Sequence, residues 1–294
     1  MNPIAQLSEA LADRVAAAGQ AAVCLRLGSR PRAGILWRPD VVVTSEQVVG
    51  ERDSVVVAHA GQEVAATLAG RDPATNVAVF RLETPLAGVL PATAGTPRVG
   101  SMAVMVGANE SGAPTGRLAM VHEVGPEWHS LAGGRIEALI RLDARLGADE
   151  GGPVLDGAGM LLGMSTSGPH RRVLVIPAAT IARVVDPLLA LGRMPRGWLG
   201  VGLHPVPVPE GLVAVAGQAR GAMVLRLVAD APAAKAGVMA GDLLLCVETF
   251  GFGQNRRLSE VLCAERIGEA VEVRLLRAGE AMTVSVVIGA RPGG

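Results

Sequence analysis

Val41-Val42-Val43-Thr44-Ser45-Glu46-Gln47-Val48-Val49 opens on three β-branched residues and then turns polar, the layout of a short buried strand that runs out into a turn. Working outward, the same unit recurs. Apolar runs at 22–27, 55–58, 64–68, 77–82, 102–106 and 136–142 are separated by Gly, Pro, Asn and Asp. Many short strands punctuated this regularly indicate a barrel or sandwich rather than alternating strands and helices. Residues 21–164 are long enough for two small barrels. Ahead of them, Leu7, Leu11, Val15 and Ala18 share one face of a helix within residues 1–20; that face docks on its own domain or serves an oligomer contact. Behind them, residues 176–191, with Ile181, Val184, Val185 and Leu188 at helical spacing, read as a helix that closes the domain. Residues 192–196, containing Pro195, form a linker. A second, mixed α and β unit of module size follows at 197–291, with short helices at 233–236 and 258–266 stopped by Gly237 and Gly268.

Composition narrows the function. Lys plus Arg equals Asp plus Glu at 27 each, and Tyr is absent. Neither a global positive field nor a stacking platform is therefore available for nucleic acid. Cys24, Cys246 and Cys263 are too few and too scattered for a disulfide framework or a metal site, so no cofactor is expected. No run approaches the roughly 18 apolar residues of a membrane span. Glu9, Asp13 and Arg14 interrupt the start, which lacks the layout of a secretory signal. A cytoplasmic protein is the expectation, or a periplasmic one if the start was trimmed.

Three segments together resemble the HtrA (Deg) branch of the trypsin-like serine proteases. Val41–Val49 is similar to the strand that leads to the family's catalytic His, and that position falls on Gln47. Gly70-Arg71-Asp72-Pro73-Ala74-Thr75-Asn76-Val77 is similar to the segment bearing the Asp, which falls on Asn76. Gly147-Ala148-Asp149-Glu150-Gly151-Gly152-Pro153 resembles the nucleophile loop, with Glu150 in the place of Ser. Val175-Ile176-Pro177 and Arg196-Gly197-Trp198-Leu199-Gly200-Val201 resemble the family's junction into a PDZ domain. The resemblance implies a mainly β fold: a chymotrypsin-like double β-barrel at 21–191, then a mixed α/β PDZ domain at 197–291.

The family's chemistry needs a hydroxyl to attack, an imidazole to carry the proton and a carboxylate to orient the imidazole. Gln47 does not exchange a proton near neutral pH, Asn76 carries no charge, and the carboxylate of Glu150 would oppose a developing oxyanion. One such loss costs on the order of 10⁴ to 10⁶ in turnover. The expectation is therefore a chain that is not an enzyme, a binding or scaffolding protein in protein quality control. The alternative is an active serine endopeptidase with a relocated or non-standard triad drawn from His59, His122, His129, His170 or His204 and Ser45, Ser165 or Ser167. A small-molecule site in the altered cleft is a third class. Gly147, Ala148, Asp149 and Gly151 remain as the oxyanion loop, whose N–H groups are expected to hold the Glu150 carboxylate as a plug.

In the second unit the resemblance makes Trp198, Leu199, Gly200 and Val201 the carboxylate-binding loop and following strand, with Leu258, Val261 and Leu262 on the opposite wall. It implies capture of peptide C-termini with an apolar last residue. Core packing is the competing account of those apolar residues, and Pro205, Pro207 and Pro209 remove donors that strand addition uses. A homotrimer or pairing with a paralogue also comes with the resemblance.

Overall fold

The computed structural model describes residues 2–28, 30–88, 90–168, 172–252 and 258–292. Two compact units emerge: residues 1–131 with 135–194, and 132–134 with 195–294.

In the first unit, helix α1 (Pro3–Gly19) starts from Asn2, whose Oδ1 accepts the Ile4 N–H at 2.9 Å. Leu11 and Val15 pack on the domain behind it, while Ile4 and Leu7 stay exposed. The first barrel follows: β1 (Ala22–Leu27), β2 (Arg30–Arg38), β3 (Val41–Ser45), the short helix α2 (Glu46–Val49), β4 (Ser54–His59), β5 (Gln62–Asp72) and β6 (Val77–Leu82). It closes in the order β1-β2-β3-β6-β5-β4. The second barrel has β7 (Met102–Ala108), β8 (Pro114–Gly125), β11 (Leu139–Leu142), β12 (Pro153–Asp156), β13 (Leu161–Ser167) and β14 (Val173–Pro177), closed as β11-β14-β13-β12-β7-β8. A two-stranded ribbon of β9 (Trp128–His129) and β10 (Arg135–Ile136) lies between β8 and β11 in sequence. Closure leaves neither barrel a free edge.

Strand β3 shows why its run does not alternate. Val42 points into the first barrel with Val23, Leu25 and Phe80. Val41 and Val43 point outward into a second core with Met164, Ile176 and the helix α3 (Ala178–Leu191). A strand buried on both faces reads as a continuous apolar run, and each such Val contributes about 1.5–3 kcal/mol by leaving water. The helix begins two residues later than its apolar spacing predicts. Ile176 belongs to β14, paired with Met164, and Pro177 is the N-cap.

The second unit is a sheet in the order β16-β17-β18-β20-β21, with β19 on β18. Its strands are β15 (Gly197–Trp198), β16 (Val201–Pro207), β17 (Arg220–Leu227), β18 (Leu243–Val247), β19 (Phe250–Gly251), β20 (Ala270–Arg277), β21 (Glu280–Val287) and β22 (Gly289–Ala290), and β15 pairs with β22. Among its described residues it also holds the one-turn helices α4 (Val213–Ala216), α5 (Pro232–Lys235) and α6 (Leu258–Val261). The single helix expected over 258–266 is instead α6 followed by a 3₁₀ turn at Ala264–Arg266. Cys263 is extended at φ −72° and ψ 163°, which breaks the run.

Buried Asp242 accepts from Arg277 Nε at 2.8 Å and Nη2 at 2.7 Å, and from the Met239 N–H at 2.7 Å. Burial alone would push its carboxyl up, but these bonds outweigh burial and hold it below the usual Asp range. A carboxyl lowered in the folded state stabilises the fold above its unfolded value, about 3.9, and that contribution is lost as pH falls below it. Asp242→Asn should therefore lower the thermal midpoint of the second unit by roughly 5 °C or more at neutral pH, and weaken the fall of that midpoint below about pH 4, read by circular dichroism.

Candidate functional site

Gln47 stands on the first turn of α2, where the fully buried β3 runs out. Its amide is aimed by what precedes it and by the β5–β6 turn. The Asn76 Oδ1 accepts the Gln47 N–H at 2.9 Å, and the Asn76 carbonyl accepts the Glu46 N–H at 3.2 Å. Asn76 sits at φ +58°, a left-handed conformation that Asn tolerates better than most residues. The Gln47 Nε2 donates to Glu150 Oε1 at 2.6 Å and to Thr166 Oγ1 at 2.9 Å. Thr166 on β13 also accepts from Asn76 Nδ2 at 2.6 Å and lies 2.9 Å from Ser45 Oγ. The Ser45 hydroxyl donates to Asn76 Oδ1 at 3.2 Å. With two amides donating to it, the Thr166 oxygen has one hydrogen left to give, and Ser45 is its taker. Ser45, Asn76 and Thr166 thus form a closed ring in which every donor has one acceptor.

Gln47, Asn76 and Glu150 are therefore brought together in space, although 103 positions separate the first from the last. Thr166 was not expected from the sequence. It is a hydroxyl inside a buried apolar strand, and nothing in its spacing marks it.

Main-chain contacts hold the Glu150 loop between the barrels. The Ala33 N–H donates to Glu150 O at 3.0 Å, Gly151 N–H to Ser165 O at 2.8 Å, and Ser165 N–H to Gly152 O at 2.9 Å. Gly151 has φ +92°, and a Cβ there would lie 2.3 Å from both Ala33 O and Thr44 Oγ1. The loop's own donors do not hold the Glu150 side chain. Gly147 N–H goes to Asp149 Oδ1 at 2.9 Å, Gly152 N–H to Asp149 O at 3.0 Å, and Glu150 N–H back to Gly147 O at 3.4 Å. The expected plug is thus differently built. The carboxylate turns inward onto the Gln47 amide, onto the Ser167 N–H at 3.3 Å, and towards Arg32 Nε at 3.8 Å. Ala148 lies in the same loop, and Asp149 is buried with an ion pair to Arg117 at 3.4 Å. The open side of Glu150 is a pocket of about 590 Å³ lined by Leu27, Arg32, Gln47, Val48, Arg52, Glu150 and Ser167.

Among the described residues no hydrogen bond joins a serine to a histidine. Buried His59 meets the Ala87 carbonyl at 3.3 Å, and burial holds its imidazole below the usual His range. His122 meets Arg172 at 3.1 Å, Ser165 Oγ donates to Asp149 O at 2.7 Å, and His170 lies outside the described residues. No group of three potential metal ligands occurs among the described residues.

In the second unit Leu199 and Gly200 are buried and Trp198 and Val201 half-buried. Val201, Leu258, Val261 and Leu262 all pack at the margin of one core with Val224, Leu244 and Val273. The Leu262 carbonyl accepts the Gly197 N–H at 3.1 Å, which ties the end of α6 to the start of the loop.

Gly151→Ala should cost at least about 2 kcal/mol, from positive φ together with main-chain overlap, read as a shift of the urea midpoint of the first unit.

Residues 32–164 match the trypsin-like peptidase domain and residues 198–288 the PDZ domain. A probable periplasmic serine endoprotease, DegP-like, from Brucella suis biovar 1 is 31% identical over 262 residues, covering 85% of this chain and 50% of the relative. Its counterpart from Rhizobium meliloti is 30% identical over 277 residues, covering 90% and 54%. The chain thus spans about half the length of the curated relatives it matches. The solved HtrA-type protease AlgW with decapeptide superposes with TM-score 0.71 at 23% identity, over 97% of this chain and 99% of that one.

These findings correct two expectations. A chain that is not an enzyme was expected from three missing side chains, but the relatives that share its architecture are named serine endoproteases, so the family points to an enzyme. A cytoplasmic location has no support, because those relatives are named periplasmic. No helix among the described residues is long and apolar enough to cross a membrane. With both domain models matched in order on a fold of two closed barrels and a PDZ sheet, the chain combines a trypsin-like peptidase domain with a PDZ domain, an architecture it shares with HtrA-type proteases.

Proposed function

We propose that this chain is an HtrA-type endopeptidase of the periplasm with a non-standard centre, in which Glu150 and Gln47 do the work of a hydroxyl and an imidazole. The observation that carries this reading is the 2.6 Å bond from Gln47 Nε2 to Glu150 Oε1 in the lining of an open pocket. An ionised carboxylate is a competent general base for water. Glu150 takes a proton as the water oxygen bonds to the scissile carbonyl carbon. A Gln47 N–H, released from Glu150 as that group becomes neutral, donates to the carbonyl oxygen that gains charge. Collapse breaks the carbon–nitrogen bond, and the proton on Glu150 passes to the departing amine. Thr166 and Asn76 act as positioning residues: the first fixes the Gln47 side-chain amide, the second its backbone.

Unfolded casein should yield new amino groups with the intact chain. Glu150→Gln should lower the rate by roughly 10² to 10⁴ and Gln47→Ala by roughly 10² to 10³, with both folds intact by circular dichroism. A fluorophosphonate probe should leave the protein unlabelled. Absence of cleavage overturns the reading, and labelling of a serine transfers the chemistry to that hydroxyl.

The PDZ module delivers substrate in this reading by capturing polypeptide C-termini with an apolar last residue. Trp198, Leu199, Gly200 and Val201 supply the loop and strand, and Leu258, Val261 and Leu262 the apolar wall. The peptide carried by AlgW supports it by analogy. A decapeptide with an apolar C-terminal residue should bind at least about tenfold more tightly as the free acid than as the amide, since the amide removes a charge-assisted set of bonds. Equal affinity by calorimetry counts against it.

A further inference from the structure

We infer that the pocket beside Glu150 takes an acidic side chain of the bound polypeptide and that Arg52 is its anchor. The inference rests on the reading above in one respect, that polypeptide enters this cleft.

The pocket's charged lining is Arg32, Arg52 and Glu150. The Glu150 carboxylate is already engaged by the Gln47 amide at 2.6 Å, the Ser167 N–H at 3.3 Å and Arg32 at 3.8 Å. Arg32 is also tied back on itself, with Nη1 on the Pro31 carbonyl at 3.2 Å. Arg52 differs. Its Nη1 donates to the Val49 carbonyl at 3.1 Å, and among the described residues it has no acidic partner. Its sequence neighbours Glu51 and Asp53 are exposed and make no ion pair with it.

Arg52 is itself exposed, and its guanidinium lies against two glycines. Its two terminal nitrogens lie 3.1 Å and 3.3 Å from where Cβ atoms would stand on Gly28 and Gly50, at φ +69° and +62°. Both glycines combine a backbone that disfavours side chains with the close approach of one guanidinium. An exposed guanidinium lying against two glycines, with donors left over and one net positive charge in the lining, is suited to a carboxylate, which it meets with paired N–H donors. Leu27 and Val48, also in the lining, offer apolar contact to the methylenes of a Glu or Asp side chain. Like charge from Glu150 does not defeat this, because Arg32 compensates it within the pocket.

The test uses the full chain and fluorescein-labelled peptides of about twelve residues, C-terminally amidated to keep them off the PDZ loop, identical except for a central Glu, Gln or Lys. Anisotropy should show the Glu peptide bound about tenfold more tightly than the Gln peptide, about 1.4 kcal/mol, with Lys weakest and the gap shrinking with salt. Arg52→Gln should erase the Glu-over-Gln gap, and Arg52→Lys should keep part of it. Equal binding of Glu and Gln peptides by the unaltered chain overturns the inference, as does a gap undiminished in a folded Arg52→Gln chain. Fragments are counted in the same samples by mass spectrometry. A chain that prefers Glu but cuts nothing overturns the hydrolytic reading and leaves the charge preference standing; one that cuts all peptides while binding them alike does the reverse.

Discussion

The first unit depends on how closely one loop of the second barrel can approach the main chain of the first. Gly151 and Gly152 leave no space for a Cβ, facing Ala33 O and Thr44 Oγ1 on one side and Val106 O on the other. The carbonyl of Glu150 is held by the Ala33 N–H and the N–H of Gly151 by Ser165. These contacts use backbone atoms, so the direction in which residue 150 points follows from the main chain and not from the side chain it bears. The course of the loop therefore makes no demand on the chemistry of the side chain at 150.

Much of the fold was legible because strands buried on both faces leave continuous apolar runs. Val41 to Val43 and Val77 to Val79 were visible for that reason, and each divides its side chains between two cores. Helix ends were less legible. Ile176 looked helical by spacing but pairs with Met164 in a sheet, and the 258–266 helix breaks at an extended Cys263 that no local breaker marks. Sheet pairing overrode local pattern at Ile176.

The site divides in the same way. Gln47, Asn76 and Glu150 could be named because glycines and valines frame them in recognisable segments. Thr166, Arg32 and Arg52 could not, since a threonine in an apolar strand and an arginine beside a turn are common and their meaning arises only when distant segments meet. The expectation of an inert chain erred one step later. It treated the loss of one mechanism as the loss of all, whereas the relatives that the chain matches are named probable endoproteases and the side chains present still include a carboxylate and an amide.

The ring of Ser45, Asn76 and Thr166 can circulate its hydrogens in only one sense, because the Gln47 backbone N–H can only donate and so fixes which end of the Asn76 amide is oxygen. Asn76 must show nitrogen to Thr166 and oxygen to Ser45, which leaves Thr166 no proton to offer Gln47. The Gln47 amide is thereby denied its flipped orientation, and both of its hydrogens are spoken for before any guest arrives, one by Glu150 and one by Thr166.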